Sequence, residues 1–236
     1  MDITDEHAKP LVGLHCLRCV RGMGLSQGIP KEFWDTRFGQ DEYVYGTRAS
    51  RLLYAWADTI SANCNTALIP ACGEGRDAVF LAQLGLDVTA VDISAEGLAK
   101  TQTLAQEKQV NVTTVEADLF QWEWPVATYD LVATMFGHMP HDVRKPLHKF
   151  YTQALKPDGL LFLEGFTQDQ IDFQRKYNSG GPPDANMLYV ADTLADEFEN
   201  VVPLSMMSGV ETLEEGSFHS GPAALIRAVF RKTGNK

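Results

Sequence analysis

Two hydrophobic periods alternate along the chain. Apolar runs at 66–70, 88–91, 112–115, 129–135 and 160–164 are too short for helices and read as strands. Between them apolar residues recur at three- and four-residue intervals. Leu52, Leu53, Trp56 and Ile60 predict a helix over 50–60, and Ala78, Val79, Leu81 and Ala82 predict one ending near Leu84, with Gly85 as its C-cap. Ser94 caps a predicted helix over 95–108, and a further helix spans about 143–155 before the turn Lys156-Pro-Asp-Gly159. Strands over 201–211 and 223–231, joined by a loop through Glu215 and His219 rather than by a helix, form a hairpin.

This order predicts an α/β fold: a Rossmann-like, seven-stranded, mostly parallel sheet with one antiparallel strand from the C-terminal hairpin and helices on both faces. Residues 1–31, rich in glycine and proline, read as an N-terminal arm or lid, and 32–236 as one domain. Phe33-Trp-Asp-Thr-Arg-Phe38 reads as a helix on the sheet edge with Trp34 and Phe38 packed inward, and Tyr45-Gly46 stands where it can close over a ligand. The polar stretch 167–186, containing Gly180-Gly-Pro-Pro183, reads as a long loop or mobile insertion, after which Asp192 caps a helix to about Phe198. Tyr177 and Tyr189 read as packing residues.

The chemistry gathers where strands end. Ala71-Cys-Gly-Glu-Gly-Arg76 joins the first strand to its helix, and Gly73 and Gly75 permit a sharp turn and close approach of a ligand. Asp92 ends the second strand, where a carboxylate accepts both hydroxyls of a ribose, and Asp118 follows the third, placed for an adenine amino group. A dinucleotide needs glycines beneath a pyrophosphate, and extra carboxylates nearby repel it; a sulfonium cofactor has no phosphate and suits acids such as Glu74, Asp92 and Asp118. Gly73-x-Gly75-x-x-Ala78 also satisfies the dinucleotide pattern, so an NAD(P)-dependent oxidoreductase stays as the rival enzyme. A non-catalytic cofactor-binding regulator is the second rival. His138, His141 and His219 are the histidines near the strand ends that could take a proton, each also readable as an ordinary loop histidine.

Composition narrows the partners. A net charge of −11, from 31 acidic against 20 basic residues, disfavours a nucleic-acid footprint and leaves a small molecule as the expected partner. No apolar run reaches the ~18 residues of a membrane span. With no leader-like segment, a cytoplasmic monomer or homodimer is expected. His15 and Cys16-Leu-Arg-Cys19 have metal-ligand spacing without a second half-site, so no metal is expected, and Cys72 reads as a packing residue.

The segments 71–82, 88–94 and 116–118 resemble motif I, the acidic strand-two motif and the adenine motif of class I S-adenosylmethionine-dependent methyltransferases. Phe33 to Gly46, Leu155-Lys-Pro-Asp-Gly159, Glu215-Gly-Ser-Phe-His219 and Ile226-Arg227 are similar to the bacterial tellurite-resistance methyltransferase group. The resemblance implies S-adenosylmethionine as cofactor, held by Trp34, Tyr45, Gly46, Ala71, Gly73, Gly75, Arg76, Asp92, Ile93, Asp118, Leu119 and Phe136. It implies methyl transfer to a small thiol, chalcogen oxyanion or other soft nucleophile, with His219 and Arg227 near the substrate; with His138, read from its place at a strand end, they form the expected catalytic set. One departure stands out. Where that family has an acid four places before the first glycine, this chain has Ile69 and then Pro70, a turn resembling that of thiopurine methyltransferases.

Overall fold

The computed structural model describes residues 29–234. Helix α1 (Lys31–Phe38) leads through a loop to α2 (Arg51–Ala55) and α3 (Ala57–Asn63), then β1 (Thr66–Pro70), α4 (Arg76–Gln83), β2 (Asp87–Asp92), α5 (Ala95–Glu107) and β3 (Thr113–Glu116). β4 (Tyr129–Met135), α6 (His141–Ala154), β5 (Leu155–Phe166), α7 (Gln170–Tyr177), β6 (Val201–Glu214) and β7 (Ser220–Lys232) complete it. The seven strands lie in the order β3-β2-β1-β4-β5-β7-β6. Only β7 runs against the rest, paired antiparallel to both β5 and β6, as the hairpin requires.

Strand side chains alternate between two covered faces, and this sorts the core. Ala67, Ile69, Leu131, Ala133, Phe162 and Val229 pack with Leu53, Ile60, Val79 and Leu81 from α2 to α4. Their neighbours Leu68, Val132, Leu161, Leu163, Ala228 and Phe230 pack on the other face with Leu147 and Tyr151 of α6 and with Trp124. Helices therefore cover both faces, and the strands' carboxyl ends form one rim.

Local departures from the sequence pattern have identifiable causes. The helix expected over 50–60 is two helices, since Trp56 adopts φ −109° and ψ 8° between them while its ring meets Phe162 edge-on at 5.7 Å. The turn at 156–159 is absorbed into β5, where pairing steps from Tyr129↔Leu155 to Leu131↔Leu160. The stretch 167–186 is not an open loop. It holds α7 and a short 3₁₀ helix, Ala185–Met187, around the buried Gln170, whose amide donates to Ser179 Oγ and the Gly180 carbonyl and accepts from Ala224 N. Asp192 does not cap an α-helix either; a 3₁₀ segment, Ala191–Glu197, begins after Val190. The expected arm falls almost wholly within residues 1–28, with His15, Cys16 and Cys19, outside the described residues. Among the described residues no helix is long and apolar enough to cross a membrane.

Candidate functional site

The turn after β1 is built from unusual backbone: Ala71, Gly73 and Gly75 all have positive φ, at 53°, 55° and 85°. Packing dictates the glycines. A Cβ on Gly75 would lie 2.4 Å from Thr101 Oγ1 of α5, and one on Gly73 would lie 3.3 Å from the Phe38 ring of α1. The Gly73 amide donates to Asp92 Oδ2 at 2.7 Å, and Ser94 N donates to Asp92 Oδ1 at 2.9 Å. Asp92 is thus 6% exposed and already holds the turn. Burial pushes its carboxyl up, against the pull of the Ser94, Gly73 and Ile93 amides. The next residue, Ile93, accepts Lys31 Nζ at its carbonyl.

Asp118 stands half-buried beyond β3, accepting from Phe120 N and Gln121 Nε2, both at 2.9 Å. Leu119 beside it is buried, and its carbonyl accepts the Trp124 indole. Ile69 is a core residue, so β1 offers no acid of its own. Cys72 is held well above the usual thiol range by burial, which suits packing rather than nucleophilic attack.

Glu74 has a different duty from that expected of an acid facing a sulfonium. Its carboxylate accepts from Val44 N and Tyr45 N, each at 3.2 Å, and pairs with Lys100 Nζ at 2.8 Å. It bolts the 43–46 loop to the turn. Gly46, at φ 69°, lies close against the Glu215 backbone of the hairpin, and Phe218 N donates to the Val44 carbonyl. The loop is thereby held between the glycine turn and the hairpin.

A cluster of rings forms around His219 at the same rim. The His219 ring lies 4.6 Å from Tyr45, 4.4 Å from Phe136 and 5.3 Å from Phe166, centroid to centroid. Phe136, at φ 57°, turns the chain at the end of β4. His219 Nδ1 lies 3.4 Å from Glu215 Oε2, which also receives Arg76 at 2.9 Å. Arg76 in turn donates to the Tyr45 carbonyl and pairs with Asp77. Burial holds His219 below its ordinary value, Glu215 opposing. Glu215 itself is held low, because His219 and Arg76 outweigh its burial.

Two of the three expected catalytic residues are otherwise engaged. His138 Nε2 accepts from Phe166 N at 3.0 Å and its Nδ1 donates to the Met187 carbonyl at 2.9 Å, so both ring nitrogens serve backbone. Burial brings it down to about 3, leaving a neutral splint rather than a proton carrier. Arg227 Nε donates to Glu164 Oε1 at 2.6 Å and its Nη1 pairs with Glu211, so its charge is spent within the sheet. Ser50 Oγ donates to the other Glu164 oxygen. The structure therefore gathers Tyr45, Gly46, Arg76, Phe136 and His219 at one mouth, with Gly73, Asp92 and Asp118 along the neighbouring crevice. Trp34 stacks on Phe38 at 5.4 Å and joins this cover from α1. Phe166 escaped the sequence reading; Glu215 and Arg37 lie in the stretches Glu215–His219 and Phe33–Phe38 that it singled out, but neither was read there as a site residue.

Residues 67–159 match the family model described as a methyltransferase domain. The chain is 33% identical to thiocyanate methyltransferase 1 of Arabidopsis thaliana over 141 residues, 58% of each chain. It is 34% identical over 110 residues to a glycine/sarcosine N-methyltransferase of Halorhodospira halochloris, covering 43% of this chain and 40% of that one. The chain thus spans 58% or less of the length of these relatives. Among solved structures, TehB from Haemophilus influenzae superposes with a TM-score of 0.62 at 15% identity, covering 86% of this chain and 67% of that one. The N-methyltransferase NodS from Bradyrhizobium japonicum, solved with S-adenosyl-L-homocysteine, gives 0.62 at 12% identity, over 86% and 98%. At these identities the superpositions speak to the fold.

Proposed function

We propose that the chain is a class I S-adenosylmethionine-dependent methyltransferase, a reading supported by the methyltransferase-domain match over residues 67–159, and that it methylates a small thiol beside the cluster of rings. The observation that carries this reading is the bond from Gly73 N to Asp92. One carboxylate, Asp92, is bonded to the turn itself, and a second, Asp118, stands beyond the next strand. Such an acid-bearing crevice fits an adenosine without phosphates.

In this proposal the outward lone pairs of Asp92 accept the ribose hydroxyls and Asp118 accepts the adenine amino group, between the apolar Ile93 and Leu119. Ala71, Gly73 and Gly75 carry the path toward the rings, and Trp34, Tyr45 and Gly46 cover it. Phe136 walls the point of transfer, while Arg76 fixes Tyr45 and Glu215 from behind. When bound, S-adenosylmethionine supplies a sulfonium-activated methyl group. The protein's work is alignment, exclusion of water and removal of one proton. His219 is neutral near pH 7 and oriented by Glu215, so it accepts the acceptor's proton, while His138 and Arg227 position the walls.

A thiol fits better than a chalcogen oxyanion because Arg76 beside the rings is already paired with carboxylates, and Arg227 is likewise paired within the sheet. Some relatives are thiocyanate and thiol methyltransferases, and others act on glycine or sarcosine. Methyl transfer measured across thiols, thiocyanate, tellurite and glycine tests the choice. Turnover confined to sulfur acceptors is expected, and glycine as the sole acceptor would refute it. Cytoplasmic residence and a monomeric or homodimeric state belong to the same proposal, the latter checked by sedimentation.

A further inference from the structure

The sheet ends on two unlike edges. β3 has only four residues, whereas β6 runs for fourteen, Val201–Glu214, and its outer side meets no strand among the described residues. A long edge presents a row of unpaired amides and carbonyls, and natural sheets blunt such rows with short strands, charges, proline or bulges. β6 has that protection at one end only, in Pro203 and the pairing shift between Pro203 and Ser205. From Ser205 to Val210 it carries no charge. Its apolar side chains stand outward, Met207 61% and Val210 60% exposed, with Leu204 and Met206 exposed beside them.

The pattern of the strand says what covers it. The chain carries a net charge of −11, so two copies repel wherever their acids face each other. Val201 to Val210 offers nothing to repel, and the acids of the strand, Glu211 and Glu214, both lie at its far end. Antiparallel pairing of two copies sends those acids to opposite ends of the joint ladder, whereas parallel pairing would stack them. A two-fold axis through an antiparallel ladder keeps each face on its own side, so one residue must sit opposite its own copy. With Ser208 in that place, Met206 stands opposite Val210 of the partner subunit, on the face that carries Ala228 and Ile226 of β7. Met207 then stands opposite Gly209 of the partner subunit, where a side chain would find open space. An axis at Met207 instead draws Pro203 into the ladder, and one at Gly209 sets Met207 against Glu211.

We propose that β6 pairs edge to edge with β6 of a second copy, antiparallel about Ser208, joining two seven-stranded sheets into one. The ladder runs from Ser205 to Glu211, whose carboxylate is already held by Arg51 and Arg227 and so adds no free charge at its end. An interface of this length is at the small end of specific ones, so the expected Kd is about 1–100 µM. The pairing stands independently of the cofactor reading.

Sedimentation velocity of the full chain, from about 1 to about 300 µM so as to bracket that Kd, tests the proposal. Wild type is expected to pass from monomer to dimer across the range. Met207→Lys and Val210→Lys each put a charge on the neutral edge and should weaken association at least about tenfold. Their melting temperatures should stay near that of wild type, because both side chains are exposed. Ser208→Cys should form an interchain disulfide on mild oxidation, since the two copies of that side chain face each other. Wild type oxidised in the same way controls for the four cysteines of the chain. A chain that is monomeric at every concentration overturns the proposal and leaves the edge to a strand of another partner. A dimer that both lysine variants retain overturns it as well, by placing the interface elsewhere. So does a lysine-sensitive dimer in which Ser208→Cys fails to cross-link.

Discussion

The amide of Gly73 donates to the carboxylate of Asp92 across the gap between the glycine turn and β2, at 2.7 Å. One acid thus fixes the turn's shape and lends the crevice its negative character. Asp92→Ala should therefore lower both stability and cofactor affinity. Two backbone amides lose their acceptor, at a cost of about 2 kcal/mol. Affinity for S-adenosyl-L-homocysteine should fall at least about tenfold. Asp118→Ala, which frees only a local turn, should show the affinity loss with a melting temperature near that of wild type. Calorimetry and thermal melts on the two variants separate these outcomes.

His219→Ala should reduce kcat with thiol acceptors by about a hundredfold, the usual contribution of a positioned base. The loss should shrink with thiocyanate, which carries no proton to remove. Because burial holds His219 below 6.5, the acid limb of the wild-type profile should fall below pH 6.5 and disappear in the variant. Binding of S-adenosyl-L-homocysteine, measured alongside, should stay unchanged.

Arg227→Met should act on folding rather than on the chemical step. It leaves Glu164, 1% exposed, without its cation, and breaking such a pair costs about 3 kcal/mol. For a chain of this size that lowers the melting temperature by roughly 6–12 °C. An unchanged melting temperature with lost turnover would return Arg227 to the catalytic set.

Acid should destabilise the protein through two buried histidines. His138 and His148 are each brought down to about 3 by burial, whereas in the unfolded chain they titrate near 6.5. Between those values the unfolded state binds the extra protons, so stability rises with pH, by about 1.4 kcal/mol per pH unit for each histidine. It is full above 6.5 and is lost as pH falls toward 3. Urea titrations from pH 7 to 4 on wild type and His148→Phe should show the variant losing stability less steeply.

Much of this was legible in the chain. Strand runs, helical intervals and the glycine turn gave β1, α4, β2 and the hairpin, because each depends on spacing alone. The turn at Gly73 to Gly75 and the acid at Asp92 are local in the same sense. What escaped depends on distant contacts. Helix α7 has no apolar stripe to announce it, and is organised by Gln170 bonding to Ser179, Gly180 and Ala224. Glu74 reads as a cofactor-facing acid until Lys100 and the Tyr45 amide are seen to claim it. His138 reads as a base until Phe166 and Met187 use both its nitrogens. Spacing places a side chain near a site; only the fold says which way it is already committed.

The account's central claim is that the crevice beside Gly73 and Asp92 receives a phosphate-free adenosine cofactor. Titrating the wild-type protein with S-adenosyl-L-homocysteine and, separately, with NAD tests it most directly. Saturable, stoichiometric heat with S-adenosyl-L-homocysteine and none with NAD is the predicted result. Binding of NAD without binding of S-adenosyl-L-homocysteine would contradict it.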